Sequence, residues 1–312
     1  MLVYKYLPPN RTSVLSDLEV GFTAPALFND PFEVLPVFDS IMKEAEIEGF
    51  VSRELVEYHR GGEIEAILEK EIENARPLIE ANRPDLLEND AQGLKEYLRE
   101  FAEPLLDEFG PKVLGGLLGL TSPGVKENFI KSLFEKMNKW CRVLSLSSDC
   151  QNILMWSHYA DSHRGFVVGF DSEHPFFDQR QSESDSIRKL KAVKYSLDRP
   201  VFSGFGENPD TKEVESFSDL VLQTKSKDWE YEQEWRMVLS SDGEQRAVGE
   251  GGQVSLVSIP AELIRRVIIG SKTKNETRAL IKDSLESGPM DHVDLYHAEL
   301  DSRQYRVCVD GI

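Results

Sequence analysis

Three short stretches of the chain hold side chains whose types and spacing could do chemistry. The densest is SLSSDCQNILMWSHYADSHRG, Ser145 to Gly165. Ser145 and Ser147 are two apart, so on a strand they share a face. Trp156, His158 and Tyr159 follow, and then a polar turn, Asp161 to Arg164. This combination suits one wall of a pocket, with hydrogen-bonding groups beside an aromatic platform. It suits equally a strand–helix–strand unit whose Trp and Tyr fill the core. Cys150 and His158 would make a nucleophile and base if the fold joined them, but nothing in the sequence places the side chains together. Cys150, His158 and His163 match no zinc spacing, and no metal is expected.

The second stretch is KSKDWEYEQEWR, Lys225 to Arg236. Read as a strand, it puts Glu232, Glu234 and Arg236 on one face and Tyr231, Gln233 and Trp235 on the other. A carboxylate between a second carboxylate and a guanidinium is held ionised and oriented. Such a Glu serves as a general base or stabilises a cationic transition state. The plain alternative is a solvated charged face beside packed tryptophans. The third stretch is the turn Asn29-Asp30-Pro31-Phe32-Glu33, where Asp30 or backbone amides would reach a ligand. Lys5 stands between Tyr4 and Tyr6 and faces opposite to both; turned inward, it needs a charge partner or a ligand. No Walker motif, GxGxxG fingerprint or GxSxG elbow is present.

The elements that must position these groups are legible in outline. Leu2 to Tyr6 reads as a strand ended by Pro8 and Pro9, and Glu19 to Ala24 as a second. From Asp39 to Trp140 acidic and apolar residues recur at helical spacing, broken by Pro77, Pro84, Pro104 and Pro111. This predicts a helical insertion over 39–140 that would serve as a lid, a partner surface or padding. Strands return at Cys141 to Ser147. A helix over Asn152 to Ala160 would be capped by Ser148 or Asp149. Gly165 to Phe170 reads as a buried strand and Trp235 to Leu239 as another, with WEYEQE equally fit for a helix. Val267 to Gly270, Thr277 to Leu285, Val293 to Leu295 and Tyr305 to Val309 complete a strand–helix–strand–strand ending. Strands at both ends with helices between predict one α+β domain over 1–312, built on a mixed or antiparallel β core with the helical insertion inside it.

Composition narrows the function classes. The chain has 312 residues, 40% of them hydrophobic, and a formal charge of -19 from 55 acidic and 36 basic residues. That field repels phosphate backbones, so a broad nucleic-acid-binding face is not expected. Three cysteines make no disulfide framework and suit a reducing cytoplasm. No apolar run of about 18 residues exists, so no membrane span is expected.

The order YKYL, FNDPFE, SLSSDCQNILMWSHYADSHRGFVVGFD, KDWEYEQEWR, VIIG resembles a bacterial domain-of-unknown-function family, number 2971. Its label carries no activity. More distantly, a first strand with a polar residue between aromatics, a central strand with serines and a late strand with a Glu is similar to the order in ADP-ribosyltransferase-like folds. That resemblance implies an NAD-consuming transferase or glycohydrolase, with NAD as substrate. It implies Glu234 as the catalytic carboxylate, Lys5 on ribose or phosphate, Ser145 and Ser147 as hydrogen-bonding groups, and Tyr159 and Trp156 as stacking rings. Asp30, His158, Glu232 and Arg236 join the same candidate pocket. Two alternatives stand beside it. One is a non-enzymatic sensor or partner-binding protein of a bacterial stress or phage-defence system, acting through the helical insertion. The other is a metal-dependent nuclease using Asp228, Glu232 and Glu234.

Overall fold

The computed structural model describes residues 1–38, 123–181, 185, 187–203, 211–241 and 246–311. These belong to two compact units. One comprises Met1–Val37, Ser132–Val201 and Thr211–Ile312, and the other Phe38–Lys131 and Phe202–Asp210. In the second, the rings of Phe38 and Phe202 meet edge to face at 5.7 Å. The helical insertion expected over 39–140 lies outside the described residues except for the helix Pro123–Trp140.

The first unit is an α+β structure whose sheet has eleven strands among the described residues. They are β1 (Leu2–Leu7), β2 (Glu19–Thr23), β3 (Cys141–Ser147), β4 (Phe166–Asp171), β5 (Lys191–Ala192), β8 (Glu234–Ser240), β9 (Arg246–Val248), β10 (Val254–Ser258), β11 (Ile264–Ile269), β12 (Asp294–Leu300) and β13 (Val307–Gly311). Two short strands, β6 (Lys194–Ser196) and β7 (Thr224–Ser226), pair in parallel beside it. The helices among the described residues are α1 (Ser13–Ser16), α2 (Pro123–Trp140, of which only the part from Ser132 belongs to this unit), α3 (Ile153–His158), α4 (Thr211–Leu222) and α5 (Asn275–Ser287). The main path runs β9-β10-β2-β3-β1-β4-β11-β12-β13, with β8 on β3 and β5 on β8. Pairing is antiparallel except between β11 and β12, which α5 connects as a crossover.

Alternation along β1 splits the core between the two sheet faces. Val3 and Leu7 join Leu144, Phe166 and Ile281 of α5 on one side. Tyr4 and Tyr6 join Met155 and Trp156 of α3, Val167 and Ile268 on the other. A strand buried on both faces must be apolar throughout, which explains FVVGF in β4. No helix among the described residues is long and apolar enough to cross a membrane.

The sheet forks at β3. One edge of β3 pairs with β8 over its whole length, from Glu234 opposite Ser147 to Ser240 opposite Cys141. The other edge is shared: Ser147 pairs with Tyr4 of β1, and Val143 with Thr23 of β2. Between those points the edge has no paired strand among the described residues. A bare carbonyl there needs a donor. The ammonium of Lys5 supplies it, 2.8 Å from the Ser145 oxygen.

Local signals explain where α3 starts and stops. The side chain of Asn152, not Ser148 or Asp149, accepts from the amides of Leu154 and Met155 at 2.9 and 3.2 Å. Asp149 instead accepts from the Gln151 amide one turn earlier. Beyond α3, Asp161, Ser162 and His163 all adopt positive φ, at 46°, 55° and 69°. Gly165 then leads into β4, and a Cβ there would stand 2.0 Å from the Leu7 carbonyl oxygen. We expect Gly165→Ala to cost about 3 kcal/mol by forcing two backbones apart, read as a lowered urea midpoint. An unchanged midpoint would mean that the Leu7 strand yields freely.

Candidate functional site

On β8, Glu234 and Arg236 are two apart and share a face, opposite Ser147 and Ser145 of β3. Arg236 donates from Nε and Nη2 to the two oxygens of Glu234 at 2.7 and 2.9 Å, a bidentate pair within one strand. Its Nη1 donates to the Leu222 carbonyl at 2.9 Å, and its Nη2 also meets Glu33. The Phe28 ring centre lies 5.1 Å from the guanidinium.

Lys225 enters from β7, beside Tyr195 of β6. Its ammonium is 2.6 Å from Glu232, 3.1 Å from Glu234 and 3.8 Å from Glu33. Tyr195 fixes the start of β8 by accepting from the Glu234 amide at 2.8 Å. Glu232 is not on the strand. It ends a 3-10 turn, Lys227–Glu232, and Gln233 follows with φ 45°, so β8 begins only at Glu234. Strand alternation therefore does not bring Glu232 to the cluster; the left-handed step at Gln233 does. The other oxygen of Glu232 accepts from the Tyr159 hydroxyl at 2.6 Å, and Asn29 Nδ2 donates to that hydroxyl at 2.7 Å. Glu33, Lys225, Glu232, Glu234 and Arg236 are all buried.

These groups border a cavity of about 190 Å³. Lys5, Ser145, Tyr159, Glu232, Glu234 and Arg236 line it, with the rings of Tyr4, Tyr6 and Phe28. Burial pushes the Glu234 carboxyl up, while the charge of Lys225 and the Ser145 hydroxyl pull it down. Burial works against the Lys225 ammonium, but Glu234 and Glu232 outweigh it and raise its pKa above the ordinary lysine value. Burial lowers Lys5 to about 8, with Glu234 opposing. Tyr159 is raised by burial and by the charge of Glu232, so its proton stays in place.

The remaining candidates divide. Ser147 lines the cavity, but its hydroxyl donates to the Glu232 carbonyl at 2.6 Å and accepts from the Asp149 amide at 3.1 Å. It holds the walls together. Trp156 is not a stacking platform for a ligand: it is 0% exposed, its Nε1 donates to the Cys150 carbonyl at 2.8 Å, and it lies stacked on His163. His158 is exposed and faces a separate surface depression with Pro8 and Asn10. Asp30 does not line the cavity; it folds back to accept from the Phe32 amide at 2.9 Å. Burial raises the Cys150 thiol, which disfavours the thiolate a nucleophile would need.

Three contributors have no assigned role at the sequence level: Lys225, Glu33 and Asn29. Lys225 carries a signal of its own, because two neighbouring carboxylates, once buried, call for more than one cation. Glu33 and Asn29 stand in the same turn as Asp30, and only the turn geometry separates their roles.

A family model described as "Protein of unknown function (DUF2971)" matches residues 155–237. That span holds Tyr159, Lys225, Glu232, Glu234 and Arg236, whereas Lys5, Asn29, Glu33 and Ser145 precede it. No curated protein and no solved structure matches the chain.

Replacing Lys225 with Met would leave Glu33 and Glu234 with only Arg236, and Glu232 with no cation among the described residues. We expect a loss of about 3–5 kcal/mol at neutral pH in a denaturant titration. The deprived carboxyls would have folded pKa values raised above the unfolded values of about 4.3. The deficit is therefore full above the raised values and shrinks as pH falls through them. A deficit independent of pH would place the loss in packing alone.

Proposed function

We propose that the cavity is the active site of an NAD-consuming enzyme, a transferase or glycohydrolase, with Glu234 as its catalytic carboxylate. One observation carries this reading: of the six positions implied by the ADP-ribosyltransferase resemblance, Lys5, Ser145, Ser147, Tyr159 and Glu234 line a single cavity, and Trp156 alone does not.

The chemistry fits what the groups can do. Breaking the bond between nicotinamide and ribose builds positive charge on the sugar. A carboxylate already fixed in place stabilises that charge without reorganising. Arg236 and Lys225 hold Glu234 in such a position. Its Oε2 already accepts from both of them, whereas Oε1 takes only Arg236 Nε from this pair and is the oxygen that would accept a ribose hydroxyl. Nicotinamide leaves with the bonding electrons, and water or an acceptor nucleophile attacks the anomeric carbon. Tyr4, Tyr6 and Phe28 line the cavity and supply the ring faces that Trp156, in the core, does not. The cavity, at about 190 Å³, is below the range of about 300–1,000 Å³ usual for whole ligands. It would take the nicotinamide–ribose end while the rest of the dinucleotide stays outside.

The nuclease alternative needs Asp228, Glu232 and Glu234 around one cation. Lys225 already bridges Glu232 and Glu234, and Asp228 is exposed and does not line the cavity. The partner-binding alternative draws on the insertion, which lies outside the described residues but for α2.

The test is release of nicotinamide from NAD by the purified protein. We expect Glu234→Gln to slow it about 100-fold or more and Ser145→Ala to slow it less, with both variants folded by circular dichroism. NAD left intact in the presence of protein, nucleotide and water acceptors would overturn the reading. So would a folded Glu234→Gln variant that consumes NAD at the original rate.

A further inference from the structure

The cavity holds three cationic side chains, and one differs from the others. Lys225 and Arg236 are each paired with at least two carboxylates. Lys5 makes no ion pair among the described residues. Its one hydrogen bond goes to a neutral acceptor, the Ser145 carbonyl at 2.8 Å. An amine keeps its lone pair free when it donates one N–H to a carbonyl. Taking an unpaired ammonium out of water favours the neutral form, which agrees with the lowering of Lys5 to about 8. The side chain is partly exposed, and the space it meets is the cavity.

We infer that Lys5 is a covalent anchor for a small hydroxyaldehyde, which it binds as an imine inside the cavity. The class follows from what surrounds the amine. Glu33, Glu232, Glu234, Asn29 and Thr23 line the walls, and polar residues of these types suit the hydroxyls of a short sugar. The rings of Tyr4 and Phe28 suit its C–H faces. The inference does not require NAD to be a substrate.

The step balances without any further reagent. The lone pair of the Lys5 amine adds to the aldehyde carbon, and the carbonyl oxygen takes up a proton. The nitrogen loses one proton, giving a carbinolamine. Loss of the hydroxyl as water, with the second nitrogen proton, leaves a carbon–nitrogen double bond. One amine and one aldehyde thus give one imine and one water. Glu234 lines the same cavity, and its burial-raised carboxyl suits it to carry the proton.

The experiment incubates the full chain with glyceraldehyde and cyanoborohydride and maps the added mass on peptides. The inference expects Lys5 to be reduced onto the aldehyde at least about tenfold faster than Lys189 and Lys227, whose side chains are about half exposed. It expects Lys5→Arg, which keeps a donor for Ser145 but forms no imine, to lose that fast phase. It also expects labelling of Lys5 in the unaltered chain to rise with pH through about 8, well below the usual lysine value of about 10.4. Labelling that follows exposure, with Lys189 and Lys227 ahead of Lys5, would overturn it. If the Arg variant does not fold, the pH profile of the unaltered chain decides: a midpoint near the usual lysine value leaves Lys5 as a strut for the fork alone.

Discussion

A single buried ammonium, that of Lys225, makes contact with three glutamates that would otherwise repel one another. Desolvated carboxylates side by side are strongly unfavourable, and pairing with a cation is what allows them to remain. Arg236 carries the rest of the negative charge through Glu234 and Glu33. Because these partners come from β7, β8, a 3-10 turn and the loop after β2, the network ties together the segments that form the cavity. Tyr159 and Asn29 extend it by hydrogen bonds to α3 and back to that loop. The polar cluster thus fixes the geometry of the site as well as its charge.

The fork in the sheet is the second constraint. Two strands leave β3 in different directions, and the opening between them places Lys5 and Thr23 on the cavity wall. A fully paired strand along that edge would bury the same backbone and leave no space there. The Lys5 side chain satisfies a carbonyl in the gap without filling it. Structural and chemical roles therefore meet in one residue, and its single hydrogen bond separates it from the carboxylate-paired cations nearby.

Much of this was legible from residue spacing. The two-residue period placed Ser145 with Ser147 and Glu234 with Arg236, because alternation along a strand is fixed by the backbone. The α+β class followed from strands read at both ends with helices between; the apolar run FVVGF forms β4, and the strand read at Val267 to Gly270 is the end of β11, which starts earlier, at Ile264. What stayed hidden depended on dihedrals and on distant segments. Glu232 reaches the cluster through one left-handed residue that no period announces. Asn152 caps α3 because its side chain meets two amides, and Asp149 lost that place to a turn of its own. Trp156 reads as a pocket ring in sequence, since nothing local tells an aromatic that faces a ligand from one stacked on His163 in the core. Which of Asn29, Asp30 and Glu33 faces inward is set by the turn, where Asp30 bonds its own backbone and releases its neighbours.

The pairings that enclose the cavity are also long in sequence. Tyr4 meets Ser147, and Glu33 meets Arg236. Contacts so far apart along the chain close late in folding, because the entropy of the intervening segment must be lost before they form. Carboxylates and ammonium therefore keep their hydration until the strands around them are nearly assembled, and give it up together. The cavity is thus a property of the finished fold: partial structures formed from either half of the chain contain only some of its residues and none of its completed electrostatics.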